Sequence, residues 1–483
     1  MSGRAFALAL TMALVMPPAA SAPPDRTGPP APGPVRPLRF PPVTRLALGN
    51  GLEVRLVPAH AVPVVTALLV VKSGGASDPA GQEGIAATTA SMLDEGAGGR
   101  DALALEDELS FLGASLSTGA SWDASTVALS VPSARLATAL PLMADVALRP
   151  DFPPKELERL RKESLTSLLL ARSDPGRIAQ RALAKAVFGD AHRYGRPLGG
   201  DAPQIAAFTV EPLRAFHRTH YRPGNASLIV VGDVTQDAVV PLLERTFGAW
   251  PAGGSTPPPV AAPPQLKGRT IWLVDKPKAE QSALRIGRVG PPRTAPDHAA
   301  VELMNTLLGG SFTSRLNDNL REKKGYTYGA YSRFDFRRSA GVFAAAADVQ
   351  TRVTAEALGE MLKELRAITA PPRADEADRA RSYLALSFPR EFETTGDIAS
   401  RVAEQVVFGL PDDAWDAFVP KVLATDPSAM AKAATRTVDA GRSAIVVVGD
   451  RAVVETPLRA LAAGPLRILT VDDVFGPAPA VAP

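Results

Sequence analysis

The chain contains no cysteine in 483 residues. That excludes a disulfide framework, a thiolate metal site, a thiol nucleophile and a lipid-attachment cysteine. Histidine is nearly as scarce, with five residues, at 60, 192, 217, 220 and 298. His217 and His220, at i and i+3, are the one close pair and could ligate a metal together with a distant acid. They also read simply as the end of a helix ahead of Tyr221-Arg222-Pro223, with no acidic third ligand nearby in sequence. A dominant charge is missing too: 53 Lys and Arg stand against 50 Asp and Glu, a net charge of +3. No basic run interleaves with aromatics, so neither nucleic acid nor a membrane surface is an expected partner. No G-x-S-x-G elbow occurs, although counting alone leaves a Ser/His/Asp arrangement open. Gly309-Gly310 is not followed by G-K-[ST], so it is no phosphate loop.

The first residues read as a bacterial export signal. Arg4 supplies the positive start, Ala5 to Met16 the apolar stretch, and Ala20-Ser21-Ala22 a small-residue cleavage site. The expected address is the periplasm or the exterior, and no later run approaches the length of a membrane anchor. Residues 23–42 form a Pro-rich leader, and a second Pro-rich stretch at 251–267 reads as a linker. These divide the chain into a signal at 1–22, domains at 43–250 and 268–473, and a tail at 474–483. With 46% hydrophobic residues there is material for more than one core.

The two halves repeat weakly. Ser227-Leu228-Ile229-Val230-Val231-Gly232-Asp233 matches Ser443-Ala444-Ile445-Val446-Val447-Val448-Gly449-Asp450, with Gly232 and Gly449 lying 217 residues apart. That offset is too long for a solenoid and indicates a duplicated domain. Strands are expected over Leu52 to Val57, Val64 to Val71 and Thr126 to Val131. Apolar residues at helical spacing predict helices over Glu83 to Glu95, Ala104 to Leu112, Ser133 to Ala147 and Lys155 to Arg172. Strands grouped with helices, without strict alternation, predict an α+β fold in which each half packs helices on a mostly antiparallel sheet.

Several segments carry a resemblance. Leu48-Gly49-Asn50-Gly51-Leu52 is followed by Gly74-Gly75, Gly96, Leu112-Gly113-Ala114 and Arg172-Ser173-Asp174-Pro175. Then come His192-Arg193-Tyr194-Gly195-Arg196-Pro197 with Gly199-Gly200, and His220-Tyr221-Arg222-Pro223-Gly224-Asn225 leading into Ile229-Val230-Val231-Gly232-Asp233. In this order they resemble the pitrilysin/insulinase zinc metallopeptidases, the inverted-motif zincins, over nearly the whole mature chain. The resemblance implies two similar halves facing each other like a clamshell. It also implies an H-x-x-E-H run at positions 87, 90 and 91, which share one helix face. In that run two neutral imidazoles ligate zinc and the carboxylate serves as general base. This chain has Ala87, Ala90 and Ser91 there. The family's further glutamate ligand maps near Ser167; Glu163, one turn earlier, is the alternative, but a lone carboxylate does not hold zinc. No cofactor is therefore expected in this chain.

The second half holds another chemically suggestive stretch, from Gly309-Gly310-Ser311-Phe312-Thr313-Ser314-Arg315-Leu316 to Leu320-Arg321-Glu322-Lys323-Lys324-Gly325-Tyr326-Thr327-Tyr328. By composition this is a glycine turn, a charged amphipathic helix and a short aromatic strand. Arg321 could then be a solvated helix charge and Tyr328 an ordinary strand aromatic. The resemblance assigns Arg321 and Tyr328, seven residues apart, to an Arg/Tyr pair that reaches substrate across the clamshell. Tyr326, two residues from Tyr328 on the expected strand, competes for that role. A guanidinium and a phenol there would donate to a peptide carbonyl and stabilise its developing oxyanion.

A chain without zinc ligands but with this pair is similar to one subunit of the bacterial heterodimeric members. Its expected partners are a homologous H-x-x-E-H subunit that brings the zinc, and an unstructured peptide substrate. On its own it is expected to be inactive. The alternative is a catalytically inert scaffold or peptide-binding protein of the same fold.

Overall fold

Strand Val64–Val71 shows how the chain builds its layers. Its run VVTALLVV is apolar at almost every position, as a strand covered on both faces requires. Val65, Ala67, Leu69 and Val71 face one core, while Leu68 and Val70 face another. The computed structural model describes residues 38–254 and 259–479. The expected signal, most of the leader, four linker residues and the end of the tail lie outside them.

The first sheet comprises β1 (Thr44–Ala47), β2 (Glu53–Pro58) and β3 (Val64–Val71). After a short ribbon of β4 (Gly96–Ala97) and β5 (Arg100–Asp101) it adds β6 (Ser115–Ala120), β7 (Ser125–Pro132) and β8 (Ala226–Gly232). Its order is β1-β2-β8-β3-β7-β6, and only β2 with β8 is parallel. The second sheet contains β9 (Thr270–Asp275), β10 (Gln281–Val289), β11 (Thr327–Asp335), β12 (Val342–Gln350), β13 (Ala444–Gly449) and β14 (Leu466–Leu469). Its order is β11-β12-β10-β13-β9-β14, with β9 parallel to both neighbours. The repeated segments become β8 and β13. Each lies parallel to the first long strand of its half and antiparallel to the second. The α+β reading with mostly antiparallel sheets therefore holds.

Each sheet has one face covered by helices of its own half and the other by a helix from the opposite half. Helix Pro175–Phe188 places Ile178, Ala182 and Val187 on Ala444, Val446 and Val448 of the second sheet. Helix Thr395–Phe408 places Ile398, Ala399 and Val402 on Leu68, Val70 and Ile229 of the first. Alternation along β13 explains the fit, since Ile445 and Val447 point the other way, into the second half's own core.

A hairpin tip adds a clasp between the halves. The guanidinium of Arg337, between β11 and β12, lies 4.2 Å from the Tyr194 ring centroid and 4.5 Å from that of Trp122. Next to it, the backbone N–H of Arg338 donates to Asp123 Oδ2 at 2.9 Å. The proline-rich stretch is pinned as well, since His192 Nε2 lies 2.9 Å from the carbonyl oxygen of Ala261 and the N–H of Gly224 donates to that of Gly253 at 2.8 Å. The segment carrying both sheets forms one compact unit. No helix among the described residues is long and apolar enough to cross a membrane.

Candidate functional site

The first candidate place is helix Ile85–Ser91, shorter than the expected Glu83 to Glu95. Gly84 ends it on the N-terminal side by taking φ 102°, a left-handed conformation open to glycine. A side chain at Gly84 would also meet the carbonyl oxygen of Gly199 at 2.4 Å, so glycine is needed for close approach too. After Ser91 the chain tightens, with the N–H of Met92 donating to the carbonyl of Thr89 at 3.2 Å.

The buttress of this helix was not legible beforehand. Asp78, whose side chain is wholly enclosed, accepts N–H bonds from Gly84 at 2.6 Å and Ala86 at 3.0 Å. Its carboxylate also pairs with Arg193 at 2.6 Å. Burial pushes the Asp78 carboxyl above its usual range, against the opposing pull of Arg193 and the two N–H groups. Arg193 in turn donates to the carbonyls of Pro197 and Leu198. The stretch from His192 to Gly200 is thus a cradle for the helix.

On that supported helix, Ala87 is half-buried, Ala90 fully buried and Ser91 exposed. Ser167 lies exposed on helix Pro154–Ala171, where its Oγ accepts from Arg177 at 3.2 Å. Glu163 accepts from Arg159 at 2.8 Å, and the same guanidinium reaches Glu156 at 2.6 Å and Glu95 at 2.5 Å. Three carboxylates, Glu95, Glu156 and Glu163, therefore share one arginine. An alanine methyl, a buried alanine and two neutral hydroxyls do not fit zinc. Among the described residues no group of three or more His, Asp or Glu side chains could hold a metal ion. His217 bonds the carbonyl of Ala147 and stacks on Tyr221, while burial lowers the basicity of both His217 and His220. A Ser/His/Asp set does meet at the surface, but both His60 and Ser133 bond Asp233, at 2.7 and 3.3 Å, so the serine is not aimed at the imidazole.

The second candidate place departs from the expected amphipathic helix. Arg315–Asn317 is a three-residue helical turn, and Asp318–Lys323 continues it as a π-helix. Another π segment, Thr306–Gly310, precedes it. Such wide turns concentrate at functional sites and re-aim the side chains that follow. Gly309 is required because a side chain there would meet the Ser332 N–H at 2.1 Å on β11. Asn317 locks the assembly: its amide donates to the carbonyl of Phe312 at 2.8 Å, and its oxygen accepts from the Ala330 N–H at 3.2 Å. Nothing in the spacing of Asn317 signalled that role.

Arg321 is partly exposed, lies beside Glu322 at 3.3 Å, and stacks its guanidinium 4.7 Å from the Phe312 ring centroid. The chain then turns at Gly325, with φ +63°, and enters β11. A bulge between Thr327 and Ala330 settles which tyrosine faces out. Tyr326 precedes the strand and packs against the second core, whereas Tyr328 is 91% exposed. The two are not equivalent members of one strand face. Thr327 braces the bulge by bonding Gly329 and the carbonyl of Asp348. Farther along β11, Tyr331 and Arg333 line a cleft of about 740 Å³ beneath helix Pro175–Phe188, with Arg285 and Arg177 on its other walls. No hydrogen bond or ion pair among the described residues links Arg321 or Tyr328 to helix Ile85–Ser91.

This architecture matches known proteins. Residues 54–201 fit the family model described as insulinase (peptidase family M16), and residues 207–384 the one described as peptidase M16 inactive domain. The chain belongs to the insulinase family, M16. It is 24% identical over 415 residues to an uncharacterized zinc protease of Streptomyces coelicolor, covering 84% of this chain and 89% of that protein. An uncharacterized zinc protease of Mycobacterium tuberculosis is 31% identical over 242 residues, 47% of this chain and 54% of that one. Among solved structures, a peptidase M16 inactive domain from Pseudomonas fluorescens superposes with TM-score 0.80 at 27% identity, covering 85% of this chain and 98% of that one. In this M16 chain, helix Ile85–Ser91 carries no histidine or carboxylate that could ligate zinc.

Proposed function

We propose that this chain is the non-zinc-binding subunit of a periplasmic heterodimeric zinc metallopeptidase. Arg321 and Tyr328 act in trans, toward a peptide held against a partner that carries an intact H-x-x-E-H helix. The observation that carries this reading is the contrast between a helix stripped of ligands and an exposed Arg/Tyr pair set on π-turns and a bulge. Both side chains present donors, and a scissile carbonyl placed between them would receive hydrogen bonds that strengthen as negative charge builds on its oxygen. The Phe312 ring orients the Arg321 guanidinium without consuming its donors.

The test begins with mild affinity purification of the tagged protein from its native periplasm, with partners identified by mass spectrometry. A stoichiometric H-x-x-E-H homologue supports the subunit reading. A homodimer, or a partner without that motif, makes the protein a scaffold or peptide binder instead. With a reconstituted pair in hand, peptide turnover decides the residue roles. Arg321→Ala and Tyr328→Phe are each expected to slow turnover by about one to three orders of magnitude with the complex intact.

A further inference from the structure

A cavity of about 260 Å³ lies in the second half, away from both places described above. It sits between helix His298–Asn305, the turn Phe388–Phe392 and helix Thr395–Phe408. Phe336, Phe388, Phe418 and Trp415 wall it. Most of its charges satisfy each other. Arg293 pairs with Glu404, Arg401 pairs with Glu404 at 2.8 Å and also with Glu391, and both guanidiniums lie 5.6 Å from the Trp415 ring centroid.

Two groups are left over. His298 and Glu302 stand at i and i+4 on one helix face, and among the described residues neither side chain has a hydrogen-bond partner. The Nδ1 of His298 is fully buried without one. Burial holds the Glu302 proton to about 7, against Arg293, and lowers His298 to about 3, so the imidazole stays neutral. A buried polar atom without a partner is costly, and a carboxyl in so apolar a wall is left without its usual hydration.

The chemistry lining the cavity beyond those pairs is one carboxyl, one neutral imidazole and the aromatic rings of Phe336, Phe388 and Phe418. An anion would meet Glu302 as a like charge. A divalent metal would find only two ligands, because Glu391 and Glu404 are held by arginines and no three-ligand group exists among the described residues. An organic cation can take the carboxylate as counter-ion, the imidazole nitrogen as acceptor and the rings for cation–π contact, while Arg293 and Arg401 are neutralised by Glu404 and Glu391. The volume falls below the roughly 300–1,000 Å³ of usual small-molecule sites, which favours a group no larger than a basic side chain.

We propose that this cavity binds a small organic ammonium or guanidinium group, with Glu302 as its counter-ion and His298 as a hydrogen-bond acceptor. Occupancy braces helix Thr395–Phe408, which carries Arg401 and Glu404 on this side and covers the first sheet on the other. Because the cation pairs with the ionised carboxyl, binding displaces the Glu302 proton and tightens with rising pH. Arg293, Arg401, Glu391 and Glu404 are the other charged groups facing the cavity, paired with one another.

The test uses the full-length protein, titrated with propylammonium and with ethylguanidinium chloride against sodium chloride of equal ionic strength, followed by calorimetry and by tryptophan fluorescence. Saturable binding of at least one probe is expected, about tenfold tighter at pH 8 than at pH 6, which is the ratio of ionised Glu302 on either side of its pKa near 7. Glu302→Gln, with its fold checked by circular dichroism, is expected to weaken binding tenfold or more. Should that variant not fold, the pH ratio in the unaltered protein decides alone. Absence of saturable binding by both probes, equal affinity at the two pH values, or unchanged affinity in a folded Glu302→Gln protein would overturn the proposal. So would zinc binding that the same substitution abolishes, which would make this a metal site.

Discussion

Helix Ile85–Ser91 and the Arg321–Tyr328 stretch lie in the two halves of the chain and are built in opposite ways. Helix Ile85–Ser91 keeps its whole support: a glycine in a left-handed conformation, an enclosed Asp78–Arg193 pair and the Gly199-Gly200 approach. It displays almost no chemistry. The Arg321–Tyr328 stretch displays donors to solvent and is supported by irregular turns that Asn317 ties together. The framework at the first place is part of the core, whereas the donors at the second lie at the surface. Removing Asp78 or Arg193 alone strands the buried charge of the other.

The largest effect should come from placing an H-x-x-E-H run on helix Ile85–Ser91. Ala90 is wholly buried, so Ala90→Glu on a background of Ala87→His and Ser91→His is expected to destabilise by about 3–5 kcal/mol relative to the double variant, through overpacking and an unpaired buried carboxylate. Equal denaturant midpoints for the two proteins would show that the face is still open. Asp78→Ala comes next. It leaves Arg193 buried without its partner and should cost about 3 kcal/mol or more in urea unfolding, whereas the same measurement on Arg321→Ala should stay within about 0.5 kcal/mol.

A pH prediction sharpens the contrast with the interior of the second half. The folded-state pKa of Glu302 is raised, so its protonated form favours the native state. That contribution is present below the unfolded pKa and is lost as pH rises toward 7. Unaltered protein should therefore lose thermal stability relative to Glu302→Gln between about pH 5 and pH 8. The smallest effect belongs to Glu163→Gln. This exposed carboxylate shares Arg159 with two others, and its loss should change stability by less than about 0.5 kcal/mol.

Local patterns were readable where a single principle governs. Strand Val64–Val71 is legible at its observed bounds, because a short run rich in β-branched residues favours a strand over a helix. Helix Glu83 to Glu95 was overextended because periodicity cannot reveal that Gly84 turns left-handed or that a distant Asp78 caps the first turn. Tyr326 and Tyr328 stayed ambiguous because a bulge flips faces without leaving a mark in composition. The π-turns beneath Arg321 are not legible in the sequence, because apolar spacing at 3.6 residues carries no mark of a locally wider turn. The exchange of helices between halves was invisible, since any apolar face fits either sheet until the whole chain is assembled.

That exchange makes the protein topologically closer to a handshake than to two beads on a string. Severing the chain within residues 251–267 should not release two folded fragments, because each would carry away the helix that roofs the other's sheet. Residues such as Ile178, Leu183, Val187 and Phe188 would each forfeit about 1.5–3 kcal/mol of burial on separation. A nicked protein should therefore co-elute as one particle and melt in one step. Either half expressed alone should be insoluble until its counterpart is supplied.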